Sequence, residues 1–286
     1  MIHIASIEKL LAERAKFAKP VVIIPTMGAL HEGHLSLLKQ GRKMVGEKGT
    51  VVCSVFVNPI QFDKKDDLIN YPRTLERDLS VCEDAGVDVV FSPEAAKMFH
   101  ADASVVVGES LLSTTLCGAS RKGHFDGVCT IVLKLANLVQ PQSMIFGEKD
   151  FQQVAVVKRM VRDLNVPVSI EVGETVREEG GLALSSRNER LSEKGRKDAS
   201  VIFKTLKAVA QALESGKLAP EGCISFFEKE LSKVKTVTRL DYVELVHDET
   251  MQQVDNSYRG RAVLGVAIFF EQVRLIDHIS VDMSQA

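Results

Sequence analysis

The sequence predicts an α/β protein: a Rossmann-like, doubly wound parallel sheet followed by a smaller C-terminal α+β domain. Three observations carry that prediction. Short runs rich in valine and isoleucine alternate with helix-period segments up to about residue 175. Those runs are apolar on both faces, as strands of a parallel sheet covered by helices on both sides must be. Beyond Val176 the order changes to helices followed by strands. At about 150 residues per domain, the chain of 286 residues divides into an expected first domain, 1–176, and a second, 177–286, read as a lid.

The segment 1–17 carries Glu8, Lys9, Glu13, Arg14 and Lys16 at helix-like spacing and no uninterrupted apolar core, which argues against a signal peptide. Strands are expected at 21–24, 51–57, 87–91, 143–146 and 168–172, and helices at 35–45, 75–85, 128–139 and 152–164. Crossovers of this kind are right-handed. The stretch 177–192 is polar, contains Gly180 and Gly181, and reads as an inter-domain loop. Helices at 194–215 and 222–233, then strands at 241–246, 262–270 and 273–279, complete the α+β domain. There is no internal repeat and no low-complexity tract.

The composition, 45% hydrophobic and 26% charged, is that of a soluble globular protein. The net charge is -2 and no block of like charge stands out, so neither a nucleic-acid partner nor a membrane surface is expected. No run reaches the ~20 apolar residues of a membrane span. The cysteines, Cys53, Cys82, Cys117, Cys129 and Cys223, are odd in number and scattered, which favours reduced thiols in a cytoplasm. Cys53 and Cys129 lie in apolar stretches and read as small core residues.

The chemistry gathers at strand ends. The first expected strand runs into Pro25-Thr26-Met27-Gly28-Ala29-Leu30-His31-Glu32-Gly33-His34, and a helix follows. In an α/β fold a ligand binds at that place, beside a helix N-terminus that attracts phosphate. Gly28 and Gly33 allow close approach of backbone to ligand, and free N–H groups at the helix start are expected to donate to phosphate oxygens. His31 and His34, three apart, share a face if both lie in the first helical turn. Zinc is the weaker reading, since the pair is one residue short of the His-Glu-x-x-His spacing and no third ligand is evident.

Four more segments follow. Asn58 and Gln61, in Phe56-Val57-Asn58-Pro59-Ile60-Gln61-Phe62, offer amides for a substrate bearing hydroxyl and carboxylate groups, or form a plain Asn-Pro turn. Phe146 to Gln153 again joins a strand to a helix. There Gly147 permits close approach, Lys149 can hold a phosphate charge, Asp150 can cap the helix or bind a ribose hydroxyl, and Gln153 lies one turn on. Leu184-Ser185-Ser186-Arg187-Asn188 can close over a triphosphate as a mobile loop or, read alone, cap the next helix. Arg121 to Gly127 reads equally as a lid or as an ordinary surface loop.

In this order, PTMGALHEGH, FVNPIQF, YPRT (71–74), GHFDG, FGEKDFQQ and GLALSSRN closely resemble the pantoate–β-alanine ligase (pantothenate synthetase) family, which is similar to the nucleotidylyltransferases and class I aminoacyl-tRNA synthetases. The resemblance covers most of the chain. It implies a two-step reaction, in which pantoate carboxylate attacks the α-phosphorus of ATP to give pantoyl adenylate and pyrophosphate, and β-alanine then displaces AMP. It implies ATP contacts at Met27, Gly28, Ala29, Leu30, His31, Glu32, Gly33 and His34, with His34 as proton donor. Further ATP contacts are implied at Gly147, Glu148, Lys149, Asp150, Val176, Leu184, Ser185, Ser186 and Arg187. Gln61 matches a contact to pantoate and β-alanine, and Gln153 a second pantoate contact. A carboxylate and a phosphate repel, so Lys149, Arg187, the histidines and Mg²⁺ are expected to offset the charge. His31, His34 and Lys149 are thus the expected catalytic residues. The family often places two adjacent acids after YPRT near the metal. This chain has Arg77-Asp78, which leaves Asp78 as the implied Mg²⁺ ligand. It also has Asp126 where the family often has arginine or a small residue. A homodimer is implied by the resemblance alone.

Overall fold

The computed structural model describes residues 1–284. They form two units. The first comprises Met1–Glu109, Lys122–Glu148 and Gln153–Thr175, and the second Ser110–Arg121, Lys149–Gln152 and the chain from Val176 onward. The division at Thr175–Val176 lies beside the expected boundary. The two earlier pieces of the second unit are marked by no change of composition.

The first unit opens with β1 (Ile2–Ile4), where the sequence showed only helix-like charge spacing. Three residues carry too little pattern to announce a strand, and β1 exists because it pairs in parallel with β4. Helix α1 (Ile7–Glu13) follows, capped by Ser6, whose side chain accepts from the Lys9 N–H. The chain then runs through β2 (Val21–Thr26), α2 (Glu32–Val45), β3 (Thr50–Val55), α3 (Lys65–Ile69), α4 (Leu75–Asp84), β4 (Val89–Phe91) and α5 (Ala95–Met98). After α6 (Leu116–Ser120), which belongs to the second unit, come α7 (His124–Val139), β5 (Ser143–Gly147), α8 (Phe151–Asp163) and β6 (Ser169–Gly173).

The strand order is β1-β4-β3-β2-β5-β6, parallel throughout. From β2 the chain winds to β3 and β4 on one side, then returns to place β5 on the other. The carboxyl end of β2 is therefore the topological switch point, where open α/β sheets leave a crevice. Helix α2 descends from that point and lies close to the sheet. A Cβ on its Gly41 would meet Ile24 at 3.0 Å and Val22 at 3.3 Å. Its Leu37, Leu38 and Val45 join Val22, Ile24, Val51, Cys53, Val90 and Ile145 in one core.

In the second unit, the expected helix 194–215 is two helices, α9 (Glu193–Asp198) and α10 (Val201–Glu214). The first turns, Glu193 to Asp198, are mostly charged, while the apolar stripe begins at Ala199 and Ile202, so only α10 has a face to bury. With α11 (Gly222–Leu231) it packs on an antiparallel sheet ordered β7-β8-β9. These strands are Val237–His247, Arg261–Phe270 and Val273–Asp282. All five cysteines are buried free thiols.

Candidate active site

The turn after β2 is held from within. Thr26 Oγ1 donates to Ser54 O at 2.7 Å and accepts the Gly28 N–H at 3.2 Å. The Ala29 and Leu30 N–H groups donate to Asp78 Oδ2 at 3.0 Å and Oδ1 at 2.8 Å. Gly28 has φ +78° and Ala29 φ +49°. Glycine is needed at 28, because its backbone is left-handed and a Cβ would also sit 3.0 Å from Asp78 Oδ2.

His31 stands one residue before α2, as its N-cap, rather than within the first turn. Its Nδ1 accepts the Gly33 N–H at 3.1 Å, and His34 Nδ1 accepts the His31 N–H at 3.3 Å. This is a reciprocal capping box built from two histidines instead of Ser/Thr and Glu. A ring nitrogen that accepts carries no proton, so in the neutral ring both protons lie on Nε2. The ring centroids are 4.1 Å apart. The expectation of free backbone donors is narrowed here to the helix start itself, whose first residue is Glu32. The N–H groups of Gly28, Ala29, Leu30, His31 and Gly33 all have acceptors within the chain, because the turn bonds to Thr26, Asp78 and its own histidines.

Gln61 lies in a 3₁₀ turn, Pro59–Gln61, and is buried. Its Oε1 accepts from Asn58 Nδ2 at 2.9 Å, and its Nε2 donates to Met27 Sδ at 3.2 Å, which ties it to the β2 turn. Asn58 Nδ2 also donates to Gly127 O at 3.0 Å, and His124 Nδ1 lies 2.8 Å from Gln61 O. Asn58, offered above as a substrate amide, is 1% exposed; its Nδ2 braces Gln61, while its buried Oδ1 has no hydrogen-bond partner among the described residues. The Arg121–Gly127 stretch is no simple surface loop, since His124 and Gly127 on α7 back the same turn. A Cβ on Gly127 would stand 2.7 Å from Gln61 N and Cα. The YPRT stretch is likewise architectural. Arg73 donates to the carbonyls of Leu68, Ile69 and Tyr71, and Thr74 Oγ1 lies 3.2 Å from Asp78 Oδ2.

Gly147 ends β5, which pairs with β2, and Glu148 follows in a 3₁₀ turn, Glu148–Asp150. Lys149 and Asp150 belong to the second unit. There Lys149 is 19% exposed, with Nζ 3.6 Å from Asp150 Oδ1. Gln152 accepts from Cys117 N and donates to Leu112 O and Thr115 O, all within that unit. Gln153, in the first unit, is half-buried.

The stretch 177–192 is tied down rather than loose. Arg177 forms a two-bond ion pair with Asp277 at 2.6 and 2.9 Å and lies over the Phe203 ring at 3.7 Å. Leu184 N bonds to Val176 O at 3.0 Å, and Ser185 Oγ accepts the Arg187 N–H at 3.3 Å, capping a 3₁₀ helix, Ser186–Arg190. Ser186 is buried.

The structure thus joins Met27, Gly28, Ala29, Leu30, Gln61 and Asp78 in one bonded group in the first unit, with His31 and His34 at its edge. Gly147, Glu148 and Gln153 share that unit, while Lys149, Asp150, Val176, Leu184, Ser185, Ser186 and Arg187 fall in the second. Asn58, His124, Gly127, Thr26 and Thr74 were missed as supports, though the motifs containing all five had drawn notice. Among the described residues no three His, Cys, Asp or Glu side chains gather to hold a metal. Asp78 is 0% exposed and accepts three hydrogen bonds, which does not fit the Mg²⁺ ligand expected there.

The family model described as pantoate-beta-alanine ligase matches residues 1–280. The chain is 51% identical over 261 residues to pantothenate synthetase of Akkermansia muciniphila, covering 91% of each chain. It is 44% identical over 278 residues to that of Thermosipho africanus, covering 96% of this chain and 97% of the relative. Among solved structures it is similar to pantothenate synthetase from Thermus thermophilus, with TM-score 0.88, 42% identity and coverage of 98% and 99%. It is also similar to a pantoate-beta-alanine ligase from Francisella tularensis complexed with beta-gamma ATP and beta-alanine, with TM-score 0.79, 32% identity and coverage of 98% and 97%.

Proposed function

The chain belongs to the pantoate–β-alanine ligase family, and from that premise we propose that it joins its substrates through a pantoyl adenylate. A pantoate carboxylate oxygen forms a bond to the α-phosphorus of ATP, and the bond to the β-phosphate breaks, releasing pyrophosphate. The β-alanine amine then attacks the acyl carbon, the bond to AMP breaks, and the nitrogen loses a proton. The observation that carries this reading is the double-histidine cap. With Nδ1 of His31 and His34 engaged, each neutral ring donates through Nε2, and two such donors suit the charge that gathers on phosphate oxygens as two anions meet. His34 stabilises that charge by donating a hydrogen bond through Nε2; with Nδ1 accepting the His31 N–H, the neutral ring keeps its proton. A carboxylate needs no deprotonation, so no general base is required for the first step.

Met27, Gly28, Ala29, Leu30, His31, Glu32, Gly33 and His34 are proposed as ATP residues. So are Gly147, Glu148, Lys149, Asp150, Val176, Leu184, Ser185, Ser186 and Arg187. Gln61 is proposed for pantoate and β-alanine, and Gln153 for pantoate. The Gln61 Nε2 donates to a thioether sulfur, a weak acceptor that a substrate carboxylate or hydroxyl outcompetes. The residues present do not fit a cage for Mg²⁺, so we propose that the ion arrives as the counter-ion of ATP, held by phosphate oxygens and water. When bound it neutralises phosphate charge, and no step above is drawn through it.

A homodimer and a cytoplasmic location complete the proposal. Exposed Val105 and Val106 support the former, and five unpaired cysteines suit the latter. No helix among the described residues is long and apolar enough to cross a membrane.

The test is incubation with ATP, pantoate and β-alanine. AMP is expected only when both co-substrates are present, with pantoyl adenylate and pyrophosphate when β-alanine is left out. A protein that binds ATP and releases no pyrophosphate under any combination would overturn the reading. His34→Ala is expected to slow adenylate formation about 10²–10³-fold with the circular dichroism unchanged, and unaltered turnover would remove His34 from the mechanism.

A further inference from the structure

Asp78 carries a charge in a place where no cation meets it. It is 0% exposed, and no Lys, Arg or His pairs with it among the described residues. Its charge is met by two backbone amides, Leu30 on Oδ1 and Ala29 on Oδ2, and by the Thr74 hydroxyl on Oδ2. Gly28 and Ala29 are consecutive left-handed residues at φ +78° and +49°. Backbone of irregular hand turns successive N–H groups to one side and makes an anion-binding concavity. Here the concavity already holds an anion, the protein's own carboxylate. Ala29 is a non-glycine residue held where L side chains seldom go, a conformation that persists only when its surroundings over-determine it.

We propose that Asp78 is a positioning residue that fixes the shape of the nucleotide turn and is not a ligand of Mg²⁺. Of the four lone-pair directions of a carboxylate, three are taken, and the fourth lies on a side chain closed to solvent. A Mg²⁺ ion approaches to about 2.0–2.1 Å and keeps several waters, which a fully buried oxygen does not accommodate. The carboxylate acts instead through the turn. It sets Ala29 and Leu30, these lead into His31, and His31 and His34 are the groups that meet phosphate. The proposal rests on the ligase reading for the identity of the nucleotide.

The experiment separates shape from metal by measuring nucleotide binding without any metal. Calorimetric titration of ADP in excess EDTA is compared for the unaltered protein, Asp78→Asn and the milder Thr74→Val. The Mg²⁺ concentration for half-maximal activity is measured alongside. Asp78→Asn turns one acceptor into an NH₂ group facing a backbone N–H. It is expected to weaken metal-free ADP binding about tenfold or more, with Thr74→Val intermediate. The Mg²⁺ midpoint is expected to stay within about twofold and the pantoate KM to stay unchanged. Unchanged metal-free binding, or a Mg²⁺ midpoint raised about tenfold, would overturn the proposal. Should Asp78→Asn fail to fold by circular dichroism, Thr74→Val decides on the same two readouts. If the unaltered protein binds ADP but makes no pantothenate, the ligase reading falls while the positioning role stands on the binding data. If it binds no ADP, both fall.

Discussion

At the scale of single residues, what a side chain can offer depends on which of its atoms the fold has already engaged. His31 and His34 have their Nδ1 atoms engaged as caps, Asp78 has its carboxylate engaged by the turn, and Asn58 has its amide nitrogen engaged by Gln61 and Gly127. The same logic governs the thiols. Burial pushes the Cys129 thiol up to about 12, with the Glu109 and Asp126 carboxylates adding to the effect, and burial pushes Cys223 up to about 11. In the unfolded chain these groups ionise near their ordinary value of 9.0. From there up to about 12 the unfolded state has lost a proton that the folded state keeps, so raising the pH favours unfolding. The urea midpoint is expected to be insensitive to these thiols below about pH 9 and to fall above it. Cys129→Ala should flatten that fall, and an equally steep fall in the variant would refute the burial account.

At the scale of elements, the site depends on α7 packing against the 3₁₀ turn that carries Gln61. Gly127 sets the distance, since a Cβ there would stand 2.7 Å from the backbone of Gln61. Gly127→Ala is expected to destabilise by about 1–3 kcal/mol through overpacking and to raise the pantoate KM more than the ATP KM. Thermal unfolding and initial rates check both, and a pantoate KM that does not move would detach Gln61 from α7. The long strands and the strand-end motifs were legible in the sequence, because buried parallel strands are uniformly apolar and glycine marks their ends. Strand β1 was not, being only three residues supported by β4. Nor was the bracing of Gln61 by Asn58, His124 and Gly127. The His124–Gln61 and Asn58–Gly127 pairings, 63 and 69 positions apart, leave no local periodicity, and the Asn58–Gln61 bond within one turn reads as a plain Asn-Pro turn until α7 is seen behind it. The backbone donors that face Asp78 were hidden for a related reason, lying 48 and 49 positions away. The metal role was implied by the resemblance alone, from the acidic position after YPRT, and nothing in the local sequence announces the amides of Ala29 and Leu30 as its partners.

At the scale of the whole molecule, association is the open property. Val105 is 83% exposed and Val106 65% exposed, in an irregular segment fastened to α7 by the Val107 N–H on Thr130 Oγ1 and the Glu109 N–H on Asp126 Oδ1. Adjacent apolar side chains held outward on a fixed backbone suit a contact with a second copy. Sedimentation is expected to give twice the chain mass for the unaltered protein and the single chain mass for a Val105→Asp/Val106→Asp variant. An unaltered mass in that variant would remove Val105 and Val106 from the proposed contact, and a single-chain mass for the unaltered protein would overturn the dimer itself.

The carboxylate under the turn after β2 also has a consequence in time. Asp78 lies 49 residues after Ala29 and 48 after Leu30. During synthesis the turn is made long before its acceptor exists. Thr26 can hold Gly28 from the start, but the Ala29 and Leu30 amides have no acceptor until β3 and α4 have followed and that loop has closed. The site is therefore born late. A nascent chain carries the PTMGALHEGH motif with only its local bonds, and completes the turn when the second βα unit docks beside the first.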